Sequence, residues 1–247
     1  MNVLRVATYN IHKGVQGFGP NRRLEIHNLV HAVEQLDADI VCLQEVRKQH
    51  LREQKHFARW PELPQAEFLA PEGYESVYRT NAVTRHGEHG NALLSRWPVM
   101  AHQHENMSDH RFEQRGLLHV SLQVHGVGVH VIVVHLGLVP ASRKRQMAQI
   151  ERFIEREIPH DAPMVVAGDF NDWGEKLHRP MHDIGLQTFE GLRLPTFPSR
   201  APVLYMDRIY VRGLTPMTAY VPRGRIWWRM SDHLPVIAEF AVDAAAS

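Results

Sequence analysis

The 247-residue chain has one cysteine, no long apolar run and almost no excess of charge. A single cysteine excludes an intramolecular disulfide, and Cys42, set inside the apolar run IVCL, reads as a core residue rather than a nucleophile. No stretch approaches the roughly 20 apolar residues of a membrane span, and the N-terminus MNVLRVATYN has neither the apolar centre nor the cleavage site of a secretory signal. The expectation is a reduced, soluble, cytoplasmic protein. Lys and Arg number 28 against 27 acidic residues, a net charge of +1. The basic bias of proteins that grip nucleic acid by overall charge is missing, so any polyanion has to be met locally. Flexible linkers and fixed-period repeats are lacking too.

What remains is a chain that is 44% hydrophobic and long enough to bury a large core. Residues 1–243 read as one domain and 244–247 as a frayed tail. Alternating or continuous apolar runs predict strands over 3–11, 40–46, 74–78, 91–95, 117–124, 129–135, 164–167, 205–211 and 236–240. Asn21 is placed to cap a helix whose stripe is Leu24, Leu29, Val30, Val33 and Leu36, and Ser142 to cap another over 143–158. Residues 48–73, broken by Pro61, Pro64 and Pro71, read as peripheral helical pieces.

The strands end in polar groups, which packing alone does not call for. In MVVAGDFND four apolar residues run into Gly168, which allows close backbone approach, and then Asp169 and Asn171. A turn is the bland reading, since Gly, Asp and Asn are common turn residues. The same pattern recurs, however, at Asn10, at Glu45, at His135 in register with Val129, Val131 and Val133, at Asp207 in register with Ile209 and Val211, and at Asp232-His233. An inward Asp207 is costly without a partner. Only a sheet fold that collects strand ends on one rim would bring these positions together.

Read in order, TYNIH, LQEV, GNALLSRWP, VHLGL, GDFND, MDRIYV and SDHLPV resemble the signature of the endonuclease/exonuclease/phosphatase superfamily of deoxyribonuclease-like, metal-dependent phosphoesterases, covering residues 8–236. HKG after the first motif and GDFNDW are most similar to an uncharacterised bacterial stand-alone branch. The resemblance implies an α/β four-layer sandwich, two packed mixed β-sheets flanked by helices. It implies Glu45 as principal ligand of Mg²⁺, with Mn²⁺ as a substitute, and Asn10 and Asp232 as further ligands or holders of its waters. Asp169 would aim or deprotonate the attacking water, and Asn171 and His135 would bind the scissile phosphate. His233, oriented by Asp207, would stabilise charge or act as acid or base, and Arg115 would contact phosphate. Such chemistry needs positioning and charge stabilisation above all.

The loop PRGRIWWRM alternates Arg with Trp immediately before Asp232, so Arg225 and Trp228 are candidate substrate contacts, able to stack a base, grip a second phosphate or rest on a lipid surface. A packing role for one tryptophan is the competing reading. Lys13, His86 and His89 are near the motifs in sequence. Most of the 18 histidines, His102, His104, His119, His125 and His130 among them, are expected to be surface or packing residues. The expected function is that of a monomeric, metal-dependent phosphodiesterase acting on nucleic acid or a phospholipid headgroup. The alternatives are a phosphomonoesterase acting on a small or lipid phosphate and a non-catalytic phosphate- or nucleic-acid-binding module. Near-neutral charge argues against a nuclease that grips long duplex DNA.

Overall fold

The computed structural model describes residues 2–17, 19–109 and 113–242, so the expected tail at 244–247 lies outside the described residues. In chain order the elements are β1 (Asn2–Asn10), β2 (Val15–Gln16), β3 (Arg23–Leu24), α1 (Ile26–Leu36), β4 (Ile40–Val46), α2 (Leu51–His56) and α3 (Gln65–Leu69). Then come β5 (Glu75–Thr84), β6 (Gly87–Ser95), β7 (Val99–Asn106), β8 (Gly116–Val124), β9 (Val127–His135) and α4 (Pro140–Glu157). The last third holds β10 (Met164–Asp169), α5 (His178–Asp183), β11 (Asp207–Arg212), β12 (Thr215–Tyr220), α6 (Trp227–Met230) and β13 (Val236–Val242).

Two mixed sheets form. One runs β12-β13-β1-β4-β6-β5 with β1 and β4 parallel; the other runs β11-β10-β9-β8-β7 with β9 and β10 parallel. Alternation along each strand sorts its side chains between layers. Leu4 and Val6 of β1, Val131 and Val133 of β9, Val165 and Ala167 of β10, and Ile209 and Val211 of β11 meet in the core between the sheets. The opposite residues of β1, Ala7 and Tyr9, pack under α1, α3 and α6, while Ile132, Val134 and Val166 pack under α4 and α5. Helix, sheet, sheet and helix make the four-layer sandwich.

Several local expectations are corrected. Asn21 does not cap α1: Arg23 and Leu24 pair with Val15 and Gln16 as a short ribbon, and α1 starts at Ile26. Ser142 is not an N-cap either. Pro140 begins α4, where its missing N–H costs nothing, and the Ser142 hydroxyl donates to Asp109 instead at 2.6 Å. Strands β7 and β12 were not legible, because both are largely exposed and mix polar with apolar residues without clear alternation. Cys42 is buried in the core as expected.

Candidate active site

Asn10, His135, Asp169 and Asp207 each continue the inward row of their own strand, whereas Asn171 follows β10 and His233 precedes β13. In β1 the row Leu4, Val6, Thr8 ends in Asn10; in β9 Val131 and Val133 lead to His135; in β10 Val165 and Ala167 lead to Asp169; in β11 Val211 and Ile209 lead to Asp207. Register then aligns them, because Asp169 is the parallel partner of His135 and the antiparallel partner of Asp207. Three polar side chains thus stand abreast at one end of one sheet, facing Asn10 at the end of the other.

Glu45 departs from simple alternation. The β4–β6 register shifts between Leu43 and Val46, and Glu45 takes a left-handed backbone with φ 58°. A bulge of this kind re-aims a side chain at a strand end, at a cost of about 1–3 kcal/mol for the backbone. Asn171 also has positive φ, 49°, which lets its own N–H donate to Asp169 Oδ1 at 2.9 Å.

Asp169 is the hub. Asn10 Nδ2 donates to its Oδ2 at 3.1 Å, and the Nε2 atoms of His135 and His233 lie 3.5 and 3.7 Å from the same oxygen. His233 Nδ1 bonds Asp207 Oδ2 at 2.8 Å, and the Thr196 hydroxyl donates to that oxygen at 2.6 Å. Phe197 packs on the His233 ring with centroids 4.9 Å apart. Burying unpaired carboxylates costs several kcal/mol per ion, and these contacts are the compensation.

The electrostatics divide the labour between the histidines. Burial, aided by the Arg115 guanidinium, pushes His135 down to about 4 despite Asp169 and Glu45, so it is neutral at pH 7. Burial also opposes charge on His233, but Asp207 first and Asp169 next outweigh it and carry the imidazolium up to about 10. Burial raises Asp169 above the ordinary carboxylate range against the pull of His233 and His135.

A second group of charges adjoins. Burial would raise Glu45, but Lys13, with Nζ 2.7 Å from Oε2, holds its carboxyl well below the usual range. Burial would raise Asp232 too, but with Oδ2 3.1 Å from His12 Nδ1 it is likewise held low, by His12 and His233 together. Ser231 fixes this corner, its hydroxyl donating to the Asn10 carbonyl at 2.6 Å. Glu45, Asp232 and Asn10 offer oxygen donors only, and the two carboxylates act on each other electrostatically. That chemistry fits Mg²⁺, which takes oxygen ligands, only one or two carboxylates, and keeps several waters. Asp169, Asp207 and His233 also offer a buried ligand atom each, all within 4.8 Å. There, however, the Asp207–His233 hydrogen bond already uses two of the donors, which suits a proton-holding pair better than an open coordination set.

The other expected residues divide. Asn171 is buried, with Nδ2 donating to the Leu136 carbonyl at 2.9 Å, and its second amide hydrogen is left for a ligand. Arg115 is anchored by the same carbonyl at 3.2 Å and by Glu113 at 3.6 Å, close enough to His135 to lower it. Lys13 and His89 do border the site, whereas the His86 ring packs against His50 with centroids 6.4 Å apart. Trp227 is buried edge-on to Tyr9, so the packing reading holds for it. Arg225 is exposed. Trp228, half-buried, lines a cavity of about 680 Å³ with Val203, Val221, Arg223 and Leu234. Among the described residues no hydrogen bond or ion pair joins either one to the Asp169 group. Thr196, Phe197 and Ser231 were missed by the sequence, since nothing in their local pattern distinguishes them from ordinary loop residues.

Comparisons with known proteins bear on the family and the fold. The model of the Endonuclease/Exonuclease/phosphatase family matches residues 7–233. The uncharacterized protein YbhP of Escherichia coli K12 is 39% identical over 243 residues, which are 95% of each chain. Among solved structures, an endonuclease/exonuclease/phosphatase from Bacteroides vulgatus superposes with a TM-score of 0.75 at 19% identity, covering 98% of this chain and all of that one (100%). D. rerio TDP2, solved with a single-strand DNA product, gives 0.68 at 16%, covering 98% and 100%. At these identities the structural neighbours establish the fold.

Proposed function

The chain belongs to the endonuclease/exonuclease/phosphatase family, and on that footing we propose that it hydrolyses phosphate diesters by in-line attack of water, using Mg²⁺ or, as a substitute, Mn²⁺. The observation that carries this reading is Asp169, a buried carboxylate of raised proton affinity tied to both sheets and flanked by a neutral and a charged imidazole. Asp169 aims the attacking water and accepts its proton, a task its raised pKa favours. Neutral His135 and the remaining amide hydrogen of Asn171 donate to non-bridging oxygens, with Arg115 behind them. The His233 imidazolium, held by Asp207, neutralises charge that develops on the phosphoryl group. Glu45, with Asn10 and Asp232, would hold the metal ion, which when bound polarises the phosphoryl oxygen and offsets its charge.

For the substrate, the balanced charge of the chain and the single-strand DNA product held by TDP2 favour a short or single-stranded nucleic acid. A phospholipid headgroup is the second reading, favoured by the largely apolar cavity beside Trp228, whose wall includes Leu192, Val203 and Val221 with Arg193 and Arg223. Purified protein is expected to hydrolyse bis-(p-nitrophenyl) phosphate with Mg²⁺ or Mn²⁺ and to lose that activity in EDTA. A side-by-side panel of oligonucleotides, phospholipids and inositol phosphates then assigns the class. Asp169→Asn should reduce turnover by roughly 10²–10⁴-fold with the fold intact. Absence of metal-dependent turnover on the ester and on the whole panel would overturn the reading.

A further inference from the structure

After Asn10 the chain makes a tight hook in which His12, Lys13 and Gly14 have φ of 46°, 62° and 68°. Left-handed backbone is unfavourable for His and Lys, so surrounding contacts must impose it. They do. Gly14 N–H donates to the Ile11 carbonyl at 2.9 Å, Gly14 O accepts from Glu25 N at 2.9 Å, and Lys13 O accepts from Gln65 Nε2 at 2.9 Å. A Cβ at Gly14 would stand 2.9 Å from Gln65 Nε2 and 3.0 Å from Ile26 Cδ1, so the hook packs closely on both side chains.

The hook delivers two successive side chains onto the two carboxylates of the oxygen-donor corner, the Lys13 ammonium onto Glu45 and the His12 imidazole onto Asp232. A divalent ion bound by Glu45 and an ammonium 2.7 Å from the same carboxylate repel each other, so the two compete for it. Lys13 has somewhere to go: its side chain is 28% exposed while that of Glu45 is 16% exposed, and the four-carbon stem pivots freely. His89, pushed down to about 4 by burial first and by Lys13 next, is also acted on by Arg115, and Glu45 is acted on by both Lys13 and His135, so Lys13 shares this corner with the groups read above as binding the scissile phosphate.

Resting on the reading of Glu45 as metal ligand, we propose that Lys13 is an internal counter-ion that holds the Glu45 carboxylate until a divalent ion takes it, and then turns to the phosphoryl oxygens of the substrate. Metal loading thereby creates a phosphate-binding cation, and Lys13, by contacting first Glu45 and then the substrate, couples the two events.

The experiment measures Mn²⁺ binding by calorimetry, inorganic phosphate binding with and without Mn²⁺, and steady-state kinetics on the ester, in wild type, Lys13→Met, Lys13→Asn and Lys13→Arg. Asn tolerates left-handed backbone and so guards against a folding defect in the Met variant. Both neutral variants are expected to bind Mn²⁺ more tightly, by roughly tenfold for loss of a charged contact, and to bind phosphate in the Mn²⁺-loaded protein about tenfold more weakly. KM should rise more than kcat falls, and Lys13→Arg should restore phosphate affinity. Unchanged or weakened Mn²⁺ binding in both neutral variants, or phosphate binding unaffected by them, overturns the proposal. Glu45→Gln separates the two levels: if it binds Mn²⁺ as wild type does, the ligand assignment itself has failed, whereas loss of binding there with no gain in the Lys13 variants defeats the counter-ion role alone.

Discussion

Asn10 donates through Nδ2 to Asp169 Oδ2 at 3.1 Å, so one buried hydrogen bond ties the rim of the first sheet to the rim of the second across 159 residues of chain. The same carboxamide accepts the His12 N–H at Oδ1, 3.1 Å away, at the start of the hook that carries Lys13. Asn10 therefore stands between the oxygen-donor corner and the Asp169 carboxylate. Replacing it by Asp exchanges a donor for a second carboxylate against Asp169, and like charges so close cannot both ionise readily. The acid limb of the kcat/KM profile of Asn10→Asp is expected to move up by about one unit or more. A limb at the wild-type position would remove Asp169 from the role of base.

The His233 imidazolium, carried up to about 10, predicts an alkaline limb far above the ordinary histidine value near 6.5. Because the folded-state value is raised, the stabilisation from this pair is complete below about pH 6.5 and fades as pH climbs toward about 10. Asp207→Asn removes the leading cause. Its alkaline limb should fall by roughly 1–3 units, and the loss of stability between neutral and alkaline pH should flatten in urea titrations. An unmoved limb would mean that His233 is not the group titrating there.

The inward rows explain why most of this site was legible. Once β9, β10 and β11 are recognised as strands, alternation alone carries His135, Asp169 and Asp207 to the same face, and the ordered motifs link them to Asn10, Asp232 and His233. What alternation does not contain is Glu45, aimed by a bulge, or Lys13, aimed by a left-handed hook, since both depend on backbone departures imposed by distant partners such as Gln65. Thr196 is beyond reach for a related reason: its hydroxyl reaches Asp207 from 11 residues earlier in the chain, a contact that no local pattern encodes. The short ribbon that displaced the Asn21 cap is tertiary too, because Gly14 accepts the Glu25 N–H and fixes where α1 begins.

Gly168 is the position at which the row of strand ends is most exposed to a single methyl group. Its φ is 151°, and a Cβ there would stand 1.9 Å from the Val134 carbonyl oxygen on the adjacent strand. That neighbour is backbone in a fully paired sheet and cannot swing aside. Gly168→Ala should therefore push β10 away from β9 at the very point where Asp169 and His135 are paired. The expected cost is about 2 kcal/mol or more by chemical denaturation, with a larger proportional loss of turnover than of stability. Wild-type stability in the variant would contradict the close approach.

The loop before Asp232 makes an internal control, because its two tryptophans differ in role while adjacent in sequence. Trp227 is 6% exposed and meets Tyr9 edge-on with ring centroids 6.3 Å apart, under the sheet that carries Asn10. Trp227→Ala should cost about 3–5 kcal/mol, the usual range for deleting a buried aromatic, and should lower kcat through the disturbed rim. Arg225 is exposed, so Arg225→Ala should change stability little, while Trp228→Ala, at a half-buried ring that packs against the same core and lines the cavity, should cost less than Trp227→Ala. Their effect should fall on KM for the natural substrate class and be small on bis-(p-nitrophenyl) phosphate, which has nothing to lay along the cavity. The ratio of the two KM effects, measured on a lipid and on a single-stranded oligonucleotide, reports which substrate the loop grips. Equal effects on the small ester and on both larger substrates would assign the loop to structure alone.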